Sequence, residues 1–169
     1  MRVLTARDAR SMAEIHAVSF ERGWDALEMS RHISKDICLG LGEPLSCFII
    51  CARAADQADV LTIATHPDAR RQGLGATLLD ATLTHLAQTN ISTIFLDVAE
   101  DNHSAIALYK KAGFQAIGRR PAYYKREKGR IAALNFSKVL DVDALSDYCL
   151  LYTSPSPRDQ RGSRMPSSA

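Results

Sequence analysis

One stretch of the sequence, residues 66–83, constrains the fold more than any other: HPDARRQGLGATLLDATL. A turn with proline leads into two arginines, then two glycines separated by one residue, then an apolar run with helical spacing. The run before it, DVLTIAT, is apolar and ends at His66-Pro67, as a strand would. The stretch therefore predicts a strand, a short loop and a long helix from about Gly73 to Thr89.

The start of this helix has the properties of a phosphate-binding loop. A helix N-terminus carries unpaired N–H groups and a partial positive charge, glycine permits close approach, and arginine adds bidentate contacts. The residues after Leu74 are Gly75-Ala76 and not Gly-Lys-Ser or Gly-Lys-Thr, which excludes a Walker loop. Leu78 stands where a dinucleotide fingerprint needs its third glycine. An ordinary helix start with surface arginines stays open as the alternative.

The other elements alternate between helix and strand and predict a mixed α/β fold in one domain. Asp8 and Asp25 can each cap a helix that follows. A third helix is expected over SAIALYKKAG, which Asn102 or Asp101 can cap and Gly113 can close. The expected strands are RVLTA, ICLGLG, CFIICARA, DVLTIAT, STIFLDVA, FQAIGR and RIAALNFSKVL, with a hairpin turn at Glu43-Pro44.

Composition excludes several function classes. The 169 residues are 46 % hydrophobic and 24 % charged, and the formal net charge of +2 is too small to indicate nucleic acid as the main partner. No apolar run approaches the roughly 18 residues that span a bilayer. Charges interrupt MRVLTARDARSMAEIH, which excludes a signal peptide. We therefore expect a cytoplasmic protein with neither a direct nucleic-acid partner nor a membrane partner.

The cysteines and histidines predict no metal site. Cys38, Cys47, Cys51 and Cys149 have no zinc-binding spacing, and the five histidines are scattered. Cys47 and Cys51 share one face of a predicted strand, which indicates small buried hydrophobic residues.

Residues 141–169 are predicted to be a C-terminal tail outside the domain. The segment YTSPSPRDQRGSRMPSSA has three prolines, five serines and almost no apolar residues, which predicts disorder. Two origins stay open: a native extension, or read-through from an assembly or cloning scar.

Several motifs together resemble the GCN5-related N-acetyltransferase (GNAT) superfamily. The loop Arg70-Arg71-Gln72-Gly73-Leu74-Gly75 resembles its pyrophosphate loop, and DNHSAIALYKKAGF is similar to its second signature. Two further segments, SFERGWDALEMSRHI and GRRPAYYKREKGRIAALNFSKVL, resemble the RimI-like ribosomal-protein-alanine N-acetyltransferases. The resemblance covers roughly residues 1–140, and the tail has no counterpart.

The resemblance implies a single GNAT domain over residues 1–140, with a mixed, mostly antiparallel sheet, helices on both faces, and acetyl-CoA as co-substrate. It implies that the strand before the loop splays from its neighbour and that the pantetheine arm lies against the exposed backbone. The cofactor-binding residues carried over are Ile63, Ala64, Thr65, Arg70, Arg71, Gln72, Gly73, Leu74, Gly75, Ala76 and Asn102.

The same resemblance assigns Asp97 as the base and Tyr109 as the acid. The group usually has glutamate at the first position, so a base one methylene shorter favours a water relay, and Glu100 is an alternative base. On pattern alone, Tyr109 would be a core tyrosine and Asp97 a structural hydrogen-bond acceptor. Tyr123 and Tyr124 are candidates for the acceptor path, also by resemblance.

The implied reaction is acetyl transfer to the N-terminal α-amine of a protein, alanine preferred, with a ribosomal protein as the expected partner. At pH 7 roughly a tenth of an α-amine is neutral, against about four parts in ten thousand of a lysine amine, so an α-amine demands less of a weak base. Two alternatives stay open: acetylation of a lysine, a small amine or an antibiotic, or a non-catalytic acyl-CoA-binding module.

Overall fold

The computed structural model describes residues 1–142. The predictions for the tail beyond Val142, and for Cys149, concern residues outside this range. The strands are β1 Arg2–Val3, β2 Ile37–Leu41, β3 Cys47–Ala54, β4 Gln57–Thr65, β5 Thr93–Ala99, β6 Gln115–Arg126 and β7 Gly129–Val139. The helices are α1 Ala9–Ser19, α2 Ala26–Lys35, α3 Leu74–Gln88 and α4 His103–Lys111.

The seven strands form one sheet in the order β1-β2-β3-β4-β5-β7-β6. Only the β4–β5 pair is parallel within the described sheet, and the other neighbours are antiparallel. The long connection between β4 and β5 contains α3, as a parallel crossover requires. The predicted fold class, a mixed and mostly antiparallel sheet with helices, is confirmed.

Helices cover both faces of the sheet and divide the core into two clusters. On one face, α3 and α4 pack on the sheet through residues such as Leu78, Leu86 and Tyr109. On the other face, α1 and α2 contribute Met12 and Met29. This division follows from the period-2 alternation of the central strands, which sends successive side chains to opposite faces.

The three described cysteines are buried free thiols, as predicted. Cys47 and Cys51 both face the cluster under α3 and α4. Burial raises the pKa of Cys38 to about 12 and that of Cys51 to about 12. Thiols of this kind act as small hydrophobic residues, because the thiolate that would react or bind metal is disfavoured.

The structure confirms the predicted helix cap at Asp25 but not the one at Asp8. Asp25 and Glu28 form a capping box at the start of α2. The prediction that the Asp8 side chain caps α1 is wrong, because a 3-10 turn, Ala6–Asp8, precedes that helix. The Asp8 carboxylate therefore accepts from the Thr5 backbone at 2.8 Å and from Arg2.

Strand β6 is longer than the predicted FQAIGR segment, since it continues to Arg126. Its pairing with β7 is interrupted between Arg120 and Tyr124, where Pro121 lies and Ala122 has a φ of +53°. Proline has no N–H to donate to a sheet, so it is tolerated at such an irregularity. Pairing then resumes at Tyr124, which the sequence pattern did not indicate.

No helix within residues 1–142 is long and apolar enough to cross a membrane.

A buried histidine connects α1 to the loop that follows it. His16 is only 4 % exposed, and its Nδ1 accepts a hydrogen bond from the Trp24 backbone N–H at 3.0 Å. Its ring stacks on the Trp24 ring at 4.7 Å. Burial lowers the pKa of His16 to about 4, while the charge of Glu28 opposes this shift and that of His32 adds to it.

We expect the free energy of unfolding to decrease as the pH falls from about 6.5 towards 4. The unfolded chain takes up a proton at His16 in this range and the folded chain does not, so acid favours the unfolded state. The contribution is roughly 2 kcal/mol at pH 5. Denaturant unfolding of wild type and His16→Phe from pH 7 to pH 5 measures it. Equal pH slopes in the two proteins would contradict this expectation.

Candidate active site

Strands β4 and β5 separate in the middle of the sheet. Their pairing ends at Val60↔Leu96, although β4 continues to Thr65 and β5 to Ala99. Beyond that point, the backbone of residues 63–65 has a strand partner on the β3 side only. The opening that the resemblance implies is therefore present, with unpaired strand backbone along one wall.

A β-bulge lies where the strands part. The partners Cys51↔Val60 and Ile50↔Thr62 leave Leu61 as one extra residue in β4. Val60 consequently packs with the cluster under α3 and α4, while Ala64 packs with the cluster under α1 and α2. Bulges of this kind bend a strand and redirect its side chains, and the sequence contained no signal for this one.

The loop from β4 to α3, where the sequence predicts the cradle, leads to a helix start without a side-chain cap. Arg71 and Gly73 have left-handed backbones, with φ of +63° and +74°, and Gly73 is the N-cap of α3. The Thr77 N–H donates to the Gly73 carbonyl at 3.0 Å, which makes it the first intrahelical bond. The N–H groups of residues 74–76 precede that bond and are open to an anion at the positive end of the helix.

Gly75 lies where three elements of the site meet. A Cβ built on Gly75 would be 3.8 Å from the Thr65 Oγ1 of β4 and 3.8 Å from the Leu108 Cδ2 of α4. The end of β4, the start of α3 and helix α4 therefore enclose one small space beside the open N–H groups. A larger side chain at residue 75 would fill this space, whereas glycine lets an anion approach the N–H groups closely.

The two arginines of the loop have different surroundings. The Arg70 Nε donates to the Thr65 carbonyl at 3.1 Å, and its Nη2 donates to the Ser19 hydroxyl at 3.2 Å. Both arginines are exposed, but these two bonds tie Arg70 to β4 and α1. Gln72 donates to the Asp68 carbonyl at 3.5 Å. Of the two guanidinium groups, that of Arg71 is the better placed to meet an anion.

Asn102 caps helix α4. Its Oδ1 accepts from the Ala105 N–H at 3.3 Å, while Asp101, the other predicted cap, pairs with Arg126 at 3.1 Å. The same Oδ1 also accepts from the Ser104 hydroxyl. The Nδ2 group of Asn102 therefore remains as a donor for a carbonyl oxygen of a pantetheine amide.

Tyr109 is in α4 and is 5 % exposed, with its ring edge-on to Phe114 at 5.8 Å. Burial raises the pKa of its hydroxyl above the ordinary range, and the nearby Cys51 and Tyr124 raise it further. The hydroxyl therefore stays protonated at neutral pH, as a proton donor must. Tyr109 belongs to the same packed cluster as Val60 and Leu96, where the pairing of β4 and β5 ends.

Asp97 is exposed on the opposite face of the sheet from Tyr109. Ile94, Leu96 and Val98 face the core, so the predicted orientation of Asp97 is confirmed. The Asn135 Nδ2 donates to one carboxylate oxygen, Oδ1, and the Arg120 Nη1 lies 3.7 Å from the other, Oδ2.

Glu100, the alternative base, is held by Arg119 Nη2 at 2.8 Å and lies beyond the end of β5.

Two cavities meet at Asp97. One, of about 390 Å³, is lined by residues that include Leu61, Leu96, Asp97, Tyr123 and Tyr124. The other, of about 300 Å³, is lined by residues that include Asp97, Ile117, Gly118, Arg120 and Asn135. The first cavity contains the β4 bulge and both tyrosines proposed for the acceptor path.

This site also contains Asn135, Arg120 and Asp59, which were not among the residues predicted from the sequence. Burial and the charge of Asp97 raise the pKa of Asp59, which lines both cavities. Of these three residues, Asn135 had a signal in the sequence, because it is a polar residue inside the apolar run AALNF.

Replacement of Gly75 by valine is expected to weaken acetyl-CoA binding at least tenfold, or by about 1.4 kcal/mol. The two added methyl groups would fill the space between Thr65 and Leu108, whereas the single Cβ of Gly75→Ala makes only ordinary contacts there. Calorimetric titration of both variants measures the effect, with circular dichroism to verify the fold. Wild-type affinity in a folded Gly75→Val variant would exclude this loop as the binding site.

Comparison with known proteins agrees with this architecture. The sequence model of the acetyltransferase (GNAT) family matches residues 10–114. The [ribosomal protein bS18]-alanine N-acetyltransferase of Escherichia coli K12 is 37 % identical over 90 residues, which cover 53 % of this chain and 61 % of that protein. The chain thus spans less than two thirds of the length of this curated relative.

Solved structures show the same fold. The crystal structure of the ribosomal-protein-S18-alanine N-acetyltransferase from Escherichia coli superposes with a TM-score of 0.77 at 26 % identity, covering 83 % of this chain and 92 % of that one. A GNAT phosphinothricin acetyltransferase from Sinorhizobium meliloti, in complex with acetyl-CoA, has a TM-score of 0.73 at 19 % identity, covering 82 % and 86 %. At 19 % identity, the likeness to the phosphinothricin acetyltransferase shows a shared fold only. Since the family match covers more than half of the sequence, the chain belongs to the GNAT family of acetyltransferases.

Proposed function

We propose that this protein transfers acetyl from acetyl-CoA to the N-terminal α-amine of a protein, with alanine preferred as the first residue and a ribosomal protein as the natural acceptor. The observation that carries the proposal is the opening between β4 and β5, with Tyr109 on one side and Asp97 on the other. The likeness in sequence and in structure to the ribosomal-protein-S18-alanine N-acetyltransferase of Escherichia coli supports the choice of acceptor.

The residues of the cradle and of β4 would hold the co-substrate. The N–H groups of residues 74–76 and the side chain of Arg71 suit the pyrophosphate. The open backbone of residues 63–65 and the Asn102 amide suit the pantetheine arm. This arrangement leads the reactive end of the co-substrate towards the opening, where Tyr109 and Asp97 lie.

Tyr109 and Asp97 then divide the proton transfers between the two faces of the sheet. Acetyl-CoA supplies an activated acetyl group as a thioester. Asp97, on the side of the tyrosine-lined cavity, accepts the proton that the acceptor ammonium must lose, through a water. Tyr109, buried and protonated, donates a proton to the departing thiolate. The acceptor and the co-substrate therefore enter from opposite faces.

The acceptor cavity suits an extended peptide end. Tyr123 and Tyr124 form one wall, with ring centroids 5.1 Å apart, and Leu61 contributes an apolar surface. The Arg126 guanidinium lies 5.9 Å from the Tyr124 ring centroid and pairs with Asp101 at 3.1 Å and with Glu21, in the α1–α2 loop, at 3.9 Å.

The acceptor is tested with three versions of one peptide that starts with alanine and contains one lysine. Free thiol release is measured with the unmodified peptide, with its α-amine blocked, and with glutamate as the first residue. We expect reaction with the unmodified peptide and none with the blocked one, because an α-amine is neutral far more often than a lysine amine at pH 7. Equal rates on the blocked and free peptides would indicate a lysine or general amine acetyltransferase, and acetyl-CoA binding without turnover would indicate a binding module.

A further inference from the structure

Three residues form one row across strands β5, β7 and β6. The Cα partner of Asp97 in β7 is Asn135, and the Cα partner of Asn135 in β6 is Gly118. Directly opposed residues place their side chains on the same face of a sheet. The row therefore lies on the exposed face that carries the Asp97 carboxylate.

The two oxygens of Asp97 have different partners within this row. Oδ1 accepts from the Asn135 Nδ2, whereas Oδ2 has the Arg120 Nη1 at 3.7 Å, beyond hydrogen-bond distance. Asn135 thus occupies one oxygen and leaves the other available to a water or an acceptor amine. Because Asp97 lines both cavities, its orientation decides which cavity the available oxygen serves.

Gly118 provides the room that Asn135 needs. The pairing Ala116↔Phe136 followed by Gly118↔Asn135 leaves Ile117 as an extra residue, so β6 bulges at this point. A Cβ built on Gly118 would lie 3.2 Å from the Asn135 Oδ1, closer than most such contacts. A side chain at residue 118 would therefore displace the Asn135 amide.

We propose that Asn135 is a positioning residue that orients Asp97 for proton transfer, and that Gly118 leaves it the space to do so. An aspartate is shorter than the glutamate expected at this position, so its carboxylate depends on a neighbouring strand for its direction. Asn135 supplies that direction from the directly opposed position, in a strand whose neighbouring residues are apolar. The inference rests on the proposed function, since it assigns a role in the same proton transfer.

A double-mutant cycle of Asn135→Leu and Asp97→Asn tests the proposal. We expect Asn135→Leu to lower kcat about tenfold, with the KM for acetyl-CoA within about twofold of wild type. In the Asp97→Asn background the same change should alter kcat less than about twofold, because Asn135 acts through the carboxylate. Equal losses in both backgrounds, or a wild-type kcat in Asn135→Leu, would overturn the proposal.

Further variants separate positioning from folding. Gly118→Ala leaves residue 135 unchanged and should lower kcat about threefold, again only when Asp97 is present. Ser137→Ala, two residues along β7 from Asn135, is the matched control and should keep the wild-type kcat. If Asn135→Leu does not fold, the double-mutant cycle of Gly118→Ala with Asp97→Asn tests the proposal instead. Equal losses of kcat from Gly118→Ala with and without Asp97 would overturn the proposal.

Both double-mutant cycles use, as acceptor, whichever amine the wild-type protein acetylates. Reaction with a lysine or small amine alone would overturn the proposed acceptor and leave the coupling between Asn135 and Asp97 measurable. If the wild type acetylates nothing, nuclear magnetic resonance of the Asn135 side-chain amide decides. The expected result is a downfield proton that moves to the free-amide range in Asp97→Leu, and a free-amide position in the wild type would overturn the positioning contact.

Discussion

Replacement of Tyr109 by phenylalanine is expected to lower kcat about 100-fold or more and to leave the affinity for acetyl-CoA nearly unchanged. The change deletes the hydroxyl that we propose as the proton donor to the departing thiolate, while the ring keeps its packing against Phe114. Steady-state kinetics give kcat, and calorimetry gives the affinity. Thermal unfolding should show little change in stability, because the ring volume is retained.

Thr82→Val is a matched control for the Tyr109 variant. It removes a hydroxyl from the same side of the sheet, in α3, where Thr82 donates to the Leu78 carbonyl at 2.7 Å. The control should retain the wild-type kcat. A near-normal kcat in Tyr109→Phe would instead assign Tyr109 to the core alone, as its helical spacing with Ala105 and Ala112 also allows.

The Asp97→Asn variant should lose about 100-fold or more in kcat, whereas Glu100→Gln should lose little. Asparagine cannot accept the proton, although it is nearly the same size as aspartate. Glu100 is beyond the end of β5, and its carboxylate is already paired with Arg119. Both variants are assayed on the peptide that starts with alanine, with Glu14→Gln as a control on the surface of α1.

A large loss in Glu100→Gln, with Asp97→Asn nearly normal, would assign the proton route to Glu100. The Arg119–Glu100 pair would then have to open for catalysis. Removing the arginine in Arg119→Leu should in that case raise the rate, because the carboxylate would be released from its ion pair.

The site could be predicted in part because its chemistry follows a linear motif. The loop of residues 70–76 is contiguous, and its glycines and arginines indicate an anion site through local backbone rules alone. Asp97 and Tyr109 were also assigned by their places in a recognisable order of elements. Their opposite orientations follow from the alternation of a strand and the spacing of a helix.

The partners of Asp97 could not be predicted in this way. Asn135 lies 38 residues from Asp97 in sequence, and the two meet only because β7 pairs with β5. Arg120 reaches the same carboxylate from β6, next to an interruption in the strand pairing. Such contacts depend on register, and a shift of one residue would send each side chain to the other face.

Local sequence patterns were enough to predict four features: a strand ending at His66-Pro67, a glycine-containing helix start, the capping of α2 by Asp25, and the buried cysteines. These depend on backbone preference, hydrophobic period and side-chain hydrogen bonds within a few residues. Three other features became visible only in the folded sheet: where β4 and β5 part, the bulge at Leu61, and the residues that surround Asp97. Those features arise from pairing between distant strands, whose register is set by the packing of the whole sheet against its helices.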